Sequence, residues 1–242
     1  MQINQVSTQS CQVVDLQLLS EGIYRVTLKC HQGYIPDYRA GQYLEILLTG
    51  GEACAFSIAS PPVPMQKELE LHIQKLPSSA NSIKLFNELE QGSVSIRMPK
   101  GQCFLESIPD KPLVFIAAGT GFAQMKSMIE LSLAKPGHKD IYLYWGARSP
   151  GGFYMPNLPI HWASPHFHYH PVVSDTLDED SWKGRQGLLF EAVIDDKDYF
   201  IDSEVFISGS PQMVYATFDA LVAENFKAEY IHSDVFEYAP RS

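Results

Sequence analysis

Basic charge is scarce in this chain of 242 residues: 18 Lys and Arg stand against 28 Asp and Glu, for a formal net charge of -10. A nucleic-acid binder must neutralise phosphates with a basic face, so this balance excludes nucleic acid, and with it anionic membrane surfaces, as partners. Cysteine is sparse too. Cys11, Cys30, Cys54 and Cys103 form no CxxC pair, which speaks against a zinc or iron–sulfur site and against a disulfide framework. No apolar run approaches membrane-spanning length. The opening MQINQVSTQSCQ shows none of the charged-then-apolar pattern of a signal peptide. There is no internal repeat and no low-complexity segment. With 45% hydrophobic and 19% charged residues, the composition is that of a globular chain, and a soluble cytoplasmic protein is expected.

What is present is organised around Leu113–Phe122, LVFIAAGTGF. Its continuous apolar run suits a strand buried on both faces. Gly119-Thr120-Gly121 breaks the run, and Met125, Met128, Ile129 and Leu133 follow at helical spacing. A strand, a glycine turn and a helix in that order present free N–H groups and a partial positive charge, a place for a diphosphate. GTG falls short of the full GxGxxG fingerprint, so a plain tight turn fits these glycines equally well.

Before this stretch, short alternating runs (Val13–Leu19, Tyr24–Leu28, Gly41–Leu48, Glu68–Gln74, Ser93–Met98) are separated by Gly and Pro turns, the pattern of a barrel or sandwich. A helical interruption, Ser82–Leu89, has Asn81 or Ser82 as its candidate cap. After Leu105–Pro112 the pattern changes. Strands Ile141–Trp145, Phe167–Val173, Val205–Ile207 and a last one near Glu229–Val235 alternate with helices Leu188–Asp195 and Pro211–Glu224. Such alternation indicates a parallel sheet covered on both faces. His166, His168 and His170 share a strand face. Three imidazoles can bind a metal, but the sequence places no carboxylate or cysteine to complete the set, so a partly exposed strand is expected and no metal.

Several motifs then line up in order: Gly41-Gln42-Tyr43, Phe56-Ser57-Ile58-Ala59-Ser60-Pro61, Pro99-Lys100-Gly101 with Phe104, AAGTGF, Tyr144-Trp145-Gly146-Ala147-Arg148, and Ser208-Gly209-Ser210-Pro211-Gln212-Met213. This order resembles the ferredoxin–NADP reductase superfamily, and within it the NAD(P)H:flavin oxidoreductases. The resemblance implies two domains. Residues 1–107 would form a six-stranded antiparallel β-barrel that binds flavin. Residues 108–242 would form an α/β domain whose five-stranded parallel sheet binds a nicotinamide nucleotide. It further implies NADH or NADPH and a flavin (FAD, FMN or riboflavin), the latter held or bound loosely as a substrate. The implied activity is flavin reduction, with electrons leaving as reduced flavin or going to a separate acceptor protein. An FAD-holding reductase component of an oxygenase system is one alternative. A binding or regulatory subunit that kept the fold is another.

The resemblance also assigns residues. Ser57 matches a serine near the flavin N5, and a hydroxyl that both donates and accepts suits an atom whose protonation changes. Phe56 would lie along the flavin ring, with Ile58 and Ala59 continuing that wall. His72 and Ile73 would pass under the ring, and Lys75 and Ser82 would stand near its phosphate. Gly119, Thr120, Gly121 and Phe122 would meet the nucleotide diphosphate, and Arg148 a ribose or phosphate. Gly209, Ser210, Pro211 and Met213 would border the nicotinamide. Asp234, a candidate for proton delivery, and Phe236 would cap the flavin. The chief departure is Cys54, which stands where relatives carry a phosphate-pairing arginine. Asp175, Asp178, Glu179 and Asp180 crowd a loop where a 2′-phosphate would need cations, which favours NADH.

Overall fold

The computed structural model describes residues 6–20, 22–31, 33–175 and 182–241. The first half is built from β1 (Ser7–Ser20), β2 (Ile23–Cys30), β3 (Tyr43–Leu47), β4 (Ala53–Ser57), β5 (Glu68–Gln74), α1 (Ala80–Glu90) and β6 (Ser93–Lys100). The strands pair antiparallel in the order β4-β3-β6-β1-β2-β5. A bridge between Ile58, just past β4, and Leu71 of β5 brings the two edges together, so of the barrel and the sandwich that the alternating pattern allows, the sheet forms the closed barrel that the resemblance implies. Alternate residues point inward: Val26 and Leu28 of β2, Leu44 and Ile46 of β3, and Leu69 and Leu71 of β5 are buried in one core. α1 plugs this core with Leu85, Phe86 and Leu89. Its cap is neither Asn81 nor Ser82. Ser79 accepts from the Ser82 amide at 3.3 Å, while the Ser82 hydroxyl accepts from the Leu76 amide at 2.8 Å. The Ser82 side chain is thus spent inside the turn that leads to the helix.

The second half contains β7 (Leu113–Ala118), α2 (Phe122–Leu133), β8 (Ile141–Ala147), α3 (Leu158–His161), β9 (Phe167–Val173), β10 (Arg185–Gln186), α4 (Leu189–Asp195), β11 (Glu204–Ser208), α5 (Pro211–Ala223), β12 (Ile231–His232) and α6 (Val235–Tyr238). All its strands are parallel, in the order β10-β9-β8-β7-β11-β12. Six strands stand where the sequence resemblance implies five. The two outermost, β10 and β12, are only two residues long, too short to announce themselves by periodicity. The last strand is also shorter than expected: after Ile231–His232 the chain leaves the sheet and turns into α6. The sheet is buried on both faces by separate clusters, one around Phe115, Phe122 and Trp145, the other around Ile116, Tyr144 and Val205.

From β7 the chain passes outward through β8 and β9 on one side, and through β11 and β12 on the other. The strand order therefore reverses between β7 and β11, and a crevice opens at their carboxyl ends. α2 starts in this crevice and is buried along Phe122–Ile129 because it lies between the sheet and the barrel. It reaches the barrel through Ser127 Oγ, which donates to the Ser60 carbonyl at 2.8 Å. Among the described residues no helix is long and apolar enough to cross a membrane.

Candidate functional site

The crevice and the barrel wall face each other. One cleft of about 310 Å³ is lined on the barrel side by Ala55, Phe56, Ser57, His72 and Gln74, and on the sheet side by Ala118–Gly121, Ala123 and Ser208–Ser210. A second of about 310 Å³ adjoins it, sharing Ala55–Ser57 and Gly209 and adding Tyr43, Gln124, Asp234 and Tyr238. A third, of about 710 Å³, runs over the sheet ends past Gly119, Thr120, Arg148, Ser174 and Met213. Residues from all six motifs thus border one continuous region or pack directly behind it.

The glycines set its shape. Gly119 has φ +53, a backbone region that an L side chain enters only at a cost. Gly121 has ordinary helical dihedrals, but a Cβ there would lie 2.4 Å from the Ser208 carbonyl oxygen. Gly121 thus lets the turn after β7 press against the end of β11, while Gly119 faces open space in the cleft. The first turn of α2 has no side-chain cap, so its leading amides are not taken up by side chains. On the neighbouring helix α5 the Ser210 hydroxyl accepts from the Met213 amide at 3.3 Å, and Pro211 occupies the first turn as its fixed φ allows.

Asp234 is the acid of the cleft. Its Oδ2 accepts from Gln124 Nε2 at 2.8 Å and its Oδ1 from the Cys103 amide at 3.3 Å. Burial pushes its carboxyl up to about 7, and the nearby Glu237 charge adds to this, against the two hydrogen bonds. Tyr43 stands opposite Ser57 across β3 and β4. Its hydroxyl is pushed up by burial and then by the charges of Glu237, Asp234 and Glu45.

His72 is buried at the floor. Its Nε2 lies 2.7 Å from Glu70 Oε1 and its Nδ1 2.9 Å from the Tyr154 hydroxyl. Burial lowers its pKa, so the ring is neutral near pH 7. Because ionised Glu70 only accepts, Nε2 carries the proton, and Tyr154 donates to Nδ1.

Of the residues singled out in the sequence, Phe56, Ser57, His72, Gly119, Thr120, Gly121, Gly209 and Ser210 share one cleft, Asp234 lines its neighbour, and Arg148 and Met213 line the third. Others lie elsewhere. Ile58, Ala59, Ile73 and Phe122 are buried; Phe122 stacks on Trp145 at 3.8 Å between ring centroids. Their side chains serve the core, so contact with a ligand falls to neighbouring backbone. Lys75 turns to Glu90 at 3.7 Å and covers the Phe86 ring. Pro211 is exposed at the helix start, and Phe236 packs on Tyr215 and Phe218. Asp178, Glu179 and Asp180 lie outside the described residues. Gln124 and Tyr238 were missed, and Tyr43 entered only as part of the Gly41-Gln42-Tyr43 motif without a role; for Gln124 the available signal was a lone Gln inside the apolar start of α2.

The three histidines do have carboxylate neighbours, contrary to the sequence reading. Asp140 Oδ1 is 2.7 Å from His166 Nδ1 and 3.9 Å from His168 Nε2, and Asp196 lies 3.7 Å from His170. Asp140 immediately precedes β8, and Asp196 comes from the end of α4, so neither was visible as a local motif. His168 and His170 stack on Tyr142 and Tyr144. Among the described residues no group of three or more His, Cys, Asp or Glu is set to hold a metal.

Comparison with known proteins agrees with this architecture. Residues 115–219 match the oxidoreductase NAD-binding domain family. The chain is similar to the CDP-6-deoxy-L-threo-D-glycero-4-hexulose-3-dehydrase reductase of Yersinia pestis, 31% identical over 235 residues, covering 96% of this chain and 70% of that protein. It is 28% identical to the NAD(P)H-flavin reductase of Vibrio harveyi over 239 residues, 96% of this chain and 99% of the relative. Among solved structures, the Amycolatopsis cytochrome P450 reductase GcoB superposes with a TM-score of 0.85 at 26% identity, over 96% of this chain and 70% of that one.

Proposed function

This chain belongs to the ferredoxin reductase family of oxidoreductases, and on that footing we propose that it is a flavin reductase that passes a hydride from a nicotinamide nucleotide to a flavin. The observation that carries this reading is the cleft in which Phe56 and Ser57 of the barrel face Gly119–Gly121 and Gly209 of the sheet. Two flat rings need such a place, walled by aromatic and glycine surfaces and edged by a few hydrogen-bonding groups. The residues present fit a flavin ring: Phe56, Tyr43 and Tyr238 supply flat faces, and Ser57, Ser208 and Asp234 supply polar edges. When both are bound, the nicotinamide supplies the hydride and the flavin takes it.

The protein's own part is orientation and protonation. Gly119–Gly121 and the uncapped start of α2 receive the nucleotide diphosphate, and Arg148 reaches its sugar or phosphate from the end of β8. Asp175, whose amide bonds the Arg148 carbonyl at 3.1 Å, puts a carboxylate beside that subsite, which favours NADH over NADPH. Ser57 offers a donor and acceptor at the ring edge. Asp234 holds a proton at its carboxylate on the opposite side.

Two expected outcomes follow the assigned roles. Ser57→Ala should lower turnover by about a hundredfold, the low end of what a group that manages a proton contributes, while flavin affinity changes less than about threefold. Steady-state rates beside a fluorescence titration measure both, and equal turnover removes Ser57 from the mechanism. Asp234 is protonated below about pH 7 and ionised above it, so wild-type turnover should fall as pH rises through about 7. In Asp234→Asn that alkaline limb should vanish; an unchanged profile would assign the limb to another group.

The direct test of the reading is anaerobic mixing of the protein with NADH or NADPH and with riboflavin, FMN or FAD. Bleaching of flavin absorbance supports it, and no bleaching with any pair refutes it. A second reading, a reductase that holds FAD permanently and feeds a partner enzyme, is favoured by the likeness to the hexulose-dehydrase reductase. It expects protein that purifies yellow and stays yellow through dialysis.

A further inference from the structure

Resting on the flavin reading above and on Asp234 as its acid, we propose that Gln124 is a positioning residue of the site: its carboxamide takes a fixed place against the barrel backbone and from there holds the Asp234 carboxyl in its working orientation. Gln124 lies in the first turn of α2 and is buried, yet it borders the cleft that contains Ser57 and Asp234. Its Nε2 lies 2.8 Å from the Gly41 carbonyl oxygen and 3.4 Å from that of Cys103. Carbonyls only accept, so the NH2 end of the amide must face them, and its orientation is settled. The third acceptor is Asp234 Oδ2 at 2.8 Å. Two N–H groups thus serve three oxygens, with one N–H for each of the two nearer ones.

The barrel side of this junction is closely packed. A Cβ at Gly41 would lie 2.6 Å from the Cys103 carbonyl oxygen, and one at Gly101 would lie 2.8 Å from the Tyr43 ring and 3.0 Å from Asp234 Oδ1. Gln42 ties the same two segments by donating to the Gly101 carbonyl at 3.1 Å. Asp234, by contrast, stands between a strand of two residues, β12, and a helix of four, α6, and its side chain does not cap that helix. Local structure there fixes little, so the carboxyl depends on partners from elsewhere: Gln124 at Oδ2 and the Cys103 amide at Oδ1, 3.3 Å away. Each oxygen is met by a donor, so the O–H of protonated Asp234 turns away from both amides. The titratable groups facing Asp234 are Glu237 and Tyr238 of α6, Tyr43 of β3 and the Cys103 thiol after β6. None of these is a cation, and both holding donors are neutral amides, which orient the carboxyl without forcing it to ionise.

The test is turnover of NADH with flavin by the full chain, measured against pH across neutrality. Gln124→Met keeps the length of the side chain and removes its donors. Its turnover on the acid side should fall about tenfold, since a misplaced group costs rate, while KM for NADH changes less than about threefold. Its alkaline limb should move to higher pH, because the lost hydrogen bond favoured the ionised carboxyl. Gln124→Lys keeps donors for the two carbonyls but sets a charge beside Asp234, so its limb should move to lower pH. Added to Asp234→Asn, Gln124→Met should cost less than about twofold more, the mark of a residue that acts through its partner. A limb that stays at the wild-type pH in both single variants, or a loss that multiplies in full in the double variant, makes Gln124 a structural brace only and overturns the inference while the flavin reading stands. Where Gln124→Met melts below the assay temperature, the direction of the Gln124→Lys shift decides alone. A wild type with no alkaline limb at about pH 7 removes Asp234 as the acid and this inference with it; a wild type that reduces no flavin fails the reading itself.

Discussion

Gly121→Ala is expected to cost at least about a hundredfold in kcat/KM with NADH and about 2 kcal/mol of stability. The new Cβ would sit 2.4 Å from the Ser208 carbonyl oxygen and 2.7 Å from the carbon behind it. Both are backbone atoms, and Ser208 is the end of β11, locked in register with Ala117 of β7. A flexible side chain would swing aside, but a central ladder does not. The glycine turn must move instead, and it moves away from the position where the diphosphate amides converge. Overpacking of this kind costs typically about 1–3 kcal/mol, and a displacement near 1 Å at a positioning group costs about a hundredfold in rate. Gly137→Ala, in the loop after α2 and outside the clefts, is the control. Its Cβ would meet nothing within 4 Å, and the position only demands φ +72, a penalty of about 1–2 kcal/mol without blocked space. It should therefore keep most of its activity. Thermal melts with steady-state kinetics on both variants check this, and equal kinetic damage would mean that the close approach at Gly121 is not what matters.

The contrast between these glycines also shows what a sequence can carry. The run at Leu113–Ala118 followed by GTG is a local signal, and the strand, turn and helix it implies are where the structure has them. The barrel's alternation is local in the same sense. β10 and β12 are different: two residues have no period, and only the neighbouring strand makes Arg185–Gln186 or Ile231–His232 a ladder. The α1 cap failed for a related reason. Ser78, Ser79, Asn81 and Ser82 are all competent caps, and the Leu76 amide, by claiming Ser82, decides among them. At the site, Ser57 and Asp234 entered through resemblance, whereas Gln124 could be found only after folding brought Gly41, Cys103 and Asp234 to its amide. Lys126 reads as the polar side of a helix, yet it is almost wholly buried, because its partners come from elements that sequence distance conceals.

That lysine makes the strongest case for how the two halves are joined. Its side chain is 8% exposed, and its ammonium lies 3.1 Å from Glu130 on its own helix and 3.5 Å from Glu70 on the barrel; it also donates to the Ala59 carbonyl at 3.3 Å. Glu70 in turn receives His72, which takes the Tyr154 hydroxyl from the sheet side. Burial pushes Glu70 upward, but the His72 hydrogen bond and the Lys126 charge outweigh it and hold the carboxyl down to about 2. A carboxyl depressed on folding stabilises above its unfolded pKa, near 4.5, and that contribution is lost as pH falls from about 4.5 towards about 2. Lys126→Met would leave two carboxylates in one buried site with no ammonium between them. Removing one partner of a buried pair costs about 3–5 kcal/mol, so the variant should lose about 3 kcal/mol at pH 7. The sign of its pH dependence identifies the cause. Burial already raises the Glu130 carboxyl above its ordinary value against the lowering influence of Lys126; without the cation it rises further, and a neutral Glu130 no longer repels Glu70, so the deficit against wild type should shrink as pH falls from 7 to about 4.5. Urea unfolding of both proteins at the two pH values reads this directly; a deficit of the same size at both would trace the loss to packing of the lysine stem and not to its charge. Glu70→Gln added to Lys126→Met should recover part of the lost stability at pH 7, because it removes one of the two carboxylates that the lysine bridged across the junction.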